Sequence, residues 1–261
     1  MDETEELIRL CVRALVAQMS AAHGFELHMT RNCVLGLTDE PLSDFNMLIL
    51  GPDPDAESFL IRSVARVRER GLPLLAMMSP HVAQTLAPVA TRLGLTAAGA
   101  SPLMVLRPGA CIGTPVRPSR LTKITRALGP ELVGVAGDLV AAAFDVPRGA
   151  VARCIDVGLT ETAGVETYIA WSEDGPMSAV SVTPTGNTAG ISLMATPPEH
   201  QRKGMGRALL TQVIDDYRNR GVERFHLGAT EAGRPLYASL GFEPIADLSA
   251  WVLGHSTQVH G

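Results

Sequence analysis

Apolar residues recur at helical spacing over residues 4–22, where Leu7, Leu10, Cys11, Ala14, Leu15 and Val16 fall near one face. Short apolar runs follow at 33–37 and 45–50, each too short for a helix and suited to a strand. The stretch Gly51–Pro52–Asp53–Pro54–Asp55 breaks the chain, and 56–70 returns to helical spacing, closed by Gly71. A strand at 72–78, a helix at 80–93 ended by Gly94 and a strand at 103–106 complete an α/β pattern. Residues 107–120 carry three prolines and two glycines and form the best linker. Helical stretches are expected near 119–127 and 130–144. The strand-like runs 165–171, 177–183 and 188–196, separated by the turn segments SEDGP and PTGN, predict an antiparallel meander. A helix at 204–220, a strand at 223–229, a helix at 232–240 and a strand near 245–253 end the ordered chain. The polar tail at 255–261 is expected to be flexible.

Composition narrows the class. With 46% hydrophobic and 19% charged residues over 261 positions, the chain is long and apolar enough for one large domain or two ordinary ones. A formal net charge of -5 argues against non-specific nucleic-acid binding. Cys11, Cys33, Cys111 and Cys154 are scattered, with no pair at metal spacing, so neither a disulfide framework nor a metal site is expected. His255 and His260 have no further ligand nearby. Asp2, Glu3, Glu5 and Glu6 are wrong for a signal peptide, and no long uncharged apolar window exists, so the expectation is a cytoplasmic protein without a membrane span.

The most informative chemistry lies where the strand ending at Thr196 runs through Pro197–Pro198 into Gln201–Arg202–Lys203–Gly204–Met205–Gly206–Arg207 and then a helix. A helix start exposes unpaired N–H groups and the positive end of its dipole, so it attracts phosphate. Glycines at 204 and 206 let backbone approach an anion, and Arg202, Lys203 and Arg207 add positive charge. The segment is neither a Walker loop nor a GxGxxG turn.

It is similar to the Q/R-x-x-G-x-G/A pyrophosphate turn of the GNAT superfamily of N-acetyltransferases. Downstream, Leu236–Tyr237–Ala238–Ser239–Leu240–Gly241–Phe242 resembles that family's LYxxLGF helix. The resemblance covers about residues 150–253. It implies a mixed α+β sheet of the GNAT, or acyl-CoA N-acyltransferase, fold, with acetyl-CoA as cosubstrate and no metal. Met194, Ala195 and Thr196 would pair with the pantetheine arm, Gln201 to Arg207 would hold the pyrophosphate, and Thr230 would stand where the family often has a cofactor-contacting Asn. Tyr237 would be the general acid toward the leaving thiolate. Glu166, Glu173, His226 and Glu231 are the remaining candidates for a base, none of them assigned. The acceptor would be an unidentified primary amine, with neither nucleic acid nor membrane as partner, and the protein a monomer or homodimer. A non-catalytic acyl-CoA-binding or regulatory module of the same fold is the alternative.

The N-terminal half repeats the order strand, turn, helix, strand, helix, strand, but puts Asp53, Asp55 and Glu57 where the basic turn would be. It resembles a degenerate GNAT repeat that has lost cofactor binding. The expected division is a GNAT-like domain at 1–106, a linker at 107–118, an acetyltransferase domain at 119–254 and the tail.

Overall fold

A computed structural model describes residues 2–20, 22, 25–113, 117–154 and 163–254. Linker residues 114–116 and the tail at 255–261, with its two histidines, lie outside the described residues. The N-terminal half contributes α1 (Glu3–Met19), β1 (Glu26–Met29), β2 (Cys33–Leu37), β3 (Met47–Leu50), α2 (Ala56–Glu69), β4 (Leu74–Met78), α3 (Pro80–Arg92) and β5 (Thr96–Leu106). The C-terminal half contributes β6 (Lys123–Arg126), α4 (Gly129–Phe144), α5 (Arg148–Cys154), β7 (Glu166–Ser172), β8 (Gly175–Thr185) and β9 (Thr188–Ala195). It ends with α6 (Met205–Asn219), β10 (Arg224–Gly228), α7 (Arg234–Ser239) and β11 (Glu243–Leu253).

Among the described residues all eleven strands form one sheet, in the order β1-β2-β3-β4-β11-β5-β10-β9-β8-β7-β6. The two halves exchange their last strands. β11 pairs antiparallel with β4, Ser249–Leu253 against Met78–Leu74, and β5 pairs antiparallel with β10. β5 and β11 pair with each other along the centre, from Glu243↔Val105 to Val252↔Thr96. Outward from that centre both halves show the same sequence of pairings. An antiparallel partner (β4 or β10) is followed by a parallel one (β3 or β9) and then an antiparallel hairpin. The fold therefore consists of two halves of like strand topology joined along β5 and β11.

Helices cover both faces. α2 and α3 pack Phe59, Leu60, Val64 and Leu86 onto Leu35, Leu48 and Ala76. On the same face α6 packs Leu209, Val213 and Tyr217 onto Val180, Ile191 and Phe225. α1 lies on the opposite face, with Leu7, Ile8, Val12 and Leu15 against Ile49, Met77, Val105 and Ala250. α4 and α5 share that side over β7–β9. Alternate strand residues thus feed opposite cores, as the period of two requires.

Three local expectations need correction or addition. The helix expected at 119–127 is instead edge strand β6, paired with Tyr168–Trp171. Thr122 and Thr125 are β-branched, and both bond Trp171, one through its carbonyl and one through its indole N–H. β1, short and half-exposed, and α5 carried too little periodicity to be read from the chain. The linker is not free where it is described, since Ile112 is buried in the core of the C-terminal half and the Ala110 carbonyl accepts from Arg218.

Candidate active site

β9 and β10 run parallel for only three pairs, Thr188↔Arg224 to Gly190↔His226. Beyond Gly190 they part. A bulge in β9, with Leu193 held at φ 47°, shifts its register against β8 between Ala179 and Ser181 and bends it away. Among the described residues the inner edge of β9 has no strand partner from Ile191 to Ala195, while β10 continues paired on its other edge, Leu227 and Gly228 with Met104 and Leu103 of β5. The gap is the floor of a cleft of about 460 Å³.

The turn predicted to hold phosphate closes one end of this cleft. Arg202 (φ 59°) and Gly204 (φ 75°, ψ 0°) adopt left-handed backbone, and α6 begins directly after them. Among the described residues none of the amides 202–207 finds a backbone acceptor, the first helical bond being Ala208 N–H to the Gly204 carbonyl. Left-handed residues alternating with ordinary ones turn successive N–H groups toward one point, a concavity for an anion. Gly206 has a second reason to be glycine. A Cβ there would lie 2.9 Å from Met194 Cε and 3.0 Å from Thr196 Oγ1, so glycine lets α6 start close against the end of β9.

The other expected residues are placed unevenly. Met194 and Thr196 line the cleft. Ala195 is fully buried in the α4–α5 core, and its carbonyl accepts from Ser178 Oγ at 2.8 Å. Gln201 donates to the Thr196 carbonyl at 3.1 Å and so braces the turn. Lys203 donates to the Glu199 carbonyl, and Arg207 binds the carbonyl and hydroxyl of Ser239 at the end of α7. Both cations are thus tied to backbone, and Arg202 is the exposed cation at the cleft rim. The Thr230 hydroxyl accepts from Gly233 N–H at 3.1 Å, capping the turn into α7.

Tyr237 lies at the inner wall of the cleft, 7% exposed, with its ring edge-on to Phe242. Gly233 leaves space for that ring, since a Cβ would stand 2.9 Å from Tyr237 Cε2. Burial pushes the phenol up to about 12, so it keeps its proton at neutral pH, the form a general acid needs.

None of the four carboxylate or histidine candidates lines the cleft. Glu166 is held by both nitrogens of Arg220, at 2.8 and 2.9 Å, and by the Tyr168 hydroxyl, which together hold its carboxyl down near 2. Glu173 and Glu231 are exposed in turns. His226 is 3% exposed beneath α1, with Cys11 Sγ 3.5 Å from its Nδ1, and burial lowers it to about 4. Residues not read from the sequence do reach the cleft. His200 lines it, its Nδ1 buried without a hydrogen-bond partner among the described residues, and Ala143 and Phe144 arrive from the end of α4. A second hollow of about 500 Å³ lies between β6 and the flank of α6, beside Ile124, Tyr168 and Asp215, away from the open amides. Among the described residues there is no cluster of three metal-ligating side chains and no helix long and apolar enough to cross a membrane.

Residues 156–250 match the family model for the acetyltransferase (GNAT) domain, which spans the splayed strands, the turn and the Tyr237 helix. The chain carries a GNAT domain. Its curated relatives include the [ribosomal protein bS18]-alanine N-acetyltransferases of Escherichia coli K12 and Shigella flexneri, each 37% identical over 75 residues. That match takes in 27% of this chain and 51% of the relative, so the chain spans about half the length of the curated relatives it matches. Among solved structures, a GCN5-related N-acetyltransferase from Kribbella flavida superposes with a TM-score of 0.70 at 17% identity, covering 95% of this chain and 96% of that one. A tandem GNAT protein from the clavulanic acid biosynthesis pathway superposes at 0.61 with 15% identity, covering 96% and 94%. These two likenesses show that the paired-half GNAT fold extends over almost the whole chain.

Proposed function

We propose that the protein is an N-acetyltransferase that moves the acetyl group of acetyl-CoA to a primary amine by direct attack. One observation carries this reading: the unpaired amides 202–207 open onto a cleft whose inner wall is a protonated tyrosine. The turn would take the pyrophosphate on backbone N–H groups, with Arg202 adding charge. The free edge of β9 from Ile191 to Ala195 would pair with the amides of the pantetheine arm as an added strand would. Tyr237 would give its proton to the departing thiolate. Because no carboxylate lines the cleft among the described residues, the amine's proton would leave through water or the acceptor itself. His200 is the titratable side chain at the turn end. The relatives named above act on an alanine amine of a ribosomal protein, and a protein or small-molecule amine is the acceptor class proposed here. The two halves are proposed to meet at 107–118, with the cosubstrate on the 119–254 side only, in a cytoplasmic enzyme.

The missing carboxylate favours a second reading, an acyl-CoA-binding module without turnover. Calorimetric titration with acetyl-CoA and thiol release with an amine panel separate the two. The enzyme reading expects one site per chain and amine-dependent release. Binding without release on any amine supports the module, and no binding removes both.

A further inference from the structure

The N-terminal half does more than complete the sheet. Its loop 38–46, between β2 and β3, crosses to the C-terminal half and docks on α4 and α5. The loop is knitted by Asn46, fully buried, whose amide donates to the carbonyls of Glu40 (2.8 Å) and Leu42 (3.0 Å) and accepts from Thr38 N–H (3.0 Å). Thr38 Oγ1 adds a bond to the Phe45 carbonyl. Glu40, 5% exposed, is gripped by Arg153 of α5 through both carboxylate oxygens. Phe45 then packs into the apolar cluster of Val140, Ala141 and Val151, together with Phe144 and Leu193.

Phe144 and Leu193 also line the cleft. On the strand Leu193, the left-handed residue of the β9 bulge, lies between the fork at Gly190 and the turn, with Ile191 beside it in the cleft lining. A cosubstrate with its phosphates on the turn and its arm along β9 would carry its acyl group toward that fork. Phe144 and Leu193 give the cleft an apolar wall, and Phe45, a side chain of the other half, packs against the same cluster as both.

We infer that Phe45 is a positioning residue for acyl length: through Phe144 and Leu193 it fixes the apolar wall of the cleft, so that acetyl fits and longer linear acyl groups are rejected. This rests on the acyl-CoA reading above. The half without a splayed strand pair thereby becomes the specificity wall of the half with one. An apolar pocket discriminates a chain by about 10–200-fold for each methylene it cannot place, so a wall displaced by one side chain changes a binding ratio measurably.

The test is calorimetric binding of CoA, acetyl-CoA, butyryl-CoA and hexanoyl-CoA to the full chain, which needs no acceptor. The wild type is expected to bind acetyl-CoA at least about tenfold more tightly than hexanoyl-CoA. Phe45→Ala should bring that ratio close to one while CoA itself binds unchanged, and Phe45→Leu should restore much of the discrimination. A merely structural role would weaken all four ligands together. Should Phe45→Ala not fold, Phe45→Leu and Glu40→Gln, which loosens the Arg153 grip, are expected to shift the ratio the same way by a smaller factor. A wild type indifferent to chain length, or folded variants with an unchanged ratio, overturns the inference and leaves the acetyl-CoA site standing. Failure of CoA to bind the wild type overturns the site itself and this inference with it.

Discussion

The two halves share one strand order and part company at a single strand pair. In the N-terminal half β3 and β4 stay parallel and paired over their whole length, Met47↔Leu75 to Leu50↔Met78, and Ser79 N–H extends the ladder to the Leu50 carbonyl. In the C-terminal half the equivalent β9 and β10 separate after three pairs. The turns that follow differ in the same direction. Gly51 is packed against Asn32 and Ile8 of α1, and Asp53 accepts from Thr30 and from the Asp55 N–H, so that turn is filled by the protein itself. The turn 202–207 has amides without a backbone acceptor among the described residues. At the fourth residue of the helix that follows β4 or β10 stands Ala83 in one half and Tyr237 in the other. A bulge, an open turn and one phenol separate a closed scaffold from a cleft. The comparison teaches that a ligand site in this fold is made by withholding strand pairs the scaffold could otherwise form.

The contrast is broken most sharply at Tyr237. Tyr237→Phe makes that position chemically as inert as its Ala83 counterpart with almost no change in volume. With an amine identified by the panel, kcat is expected to fall about 10²- to 10⁴-fold while acetyl-CoA affinity changes little. A Phe variant with wild-type turnover and a lower melting temperature would reduce the tyrosine to a packing role.

A second test concerns the seam under α1. There the C-terminal half places His226 beside Gly190, where the N-terminal half has Met77 beside Ile49. A Cβ on Gly190 would lie 3.1 Å from the His226 ring, so the glycine makes room for it. Burial, and secondarily Arg224, lowers His226 to about 4 against about 6.5 when unfolded. The unfolded chain therefore binds the extra proton between those values. The stability set by a neutral His226 is intact above about pH 6.5 and is lost as pH falls toward 4. Urea unfolding at pH 7 and pH 5 should show a loss of about 2 kcal/mol, and His226→Gln should remove most of that difference. Carboxylates such as Glu166, held near 2, lose their contribution mainly from about pH 4.5 downward, at the acid end of that window and below it.

The smallest expected effect sharpens the comparison most. Replacing Asp53 and Asp55 together by Lys gives the N-terminal turn a positive charge but leaves β3 and β4 paired. Titration should still find one acetyl-CoA per chain. Two sites would mean that charge, and not the splayed strand pair, silences the N-terminal half.

Much of this was legible in the chain, for identifiable reasons. The turn 201–207 and the Tyr237 helix are local, so glycine spacing and side-chain type disclose them. The pairing of β5 with β10 and of β11 with β4 is not local, and nothing in LMVL or in AWVL names its partner. The bulge at Leu193 escaped because a leucine in left-handed backbone carries no sequence signal, unlike Gly204. β6 is not legible as a strand because four edge residues, exposed at both ends and only partly covered between, do not establish a period. The cations of the turn are legible in the chain but their partners within the protein are not, since Glu199 and Ser239 carry no signal that they accept from Lys203 and Arg207. Phe144 and Phe45 come from about 60 and 160 residues upstream of the turn, beyond the reach of any motif.

The exchanged strands also set a timetable. β4 lies near residue 76, yet its neighbour β11 ends at Leu253. A growing chain emerging from the ribosome cannot finish its first half until β11, about 170 residues after β4, has been made. Until then the edge of β4, with Leu74, Ala76 and Met78 beside it, is an unpaired apolar strand open to other chains. The early half must wait in a partly assembled state that chaperones can recognise, and the final strand acts as the latch that closes both halves in one event.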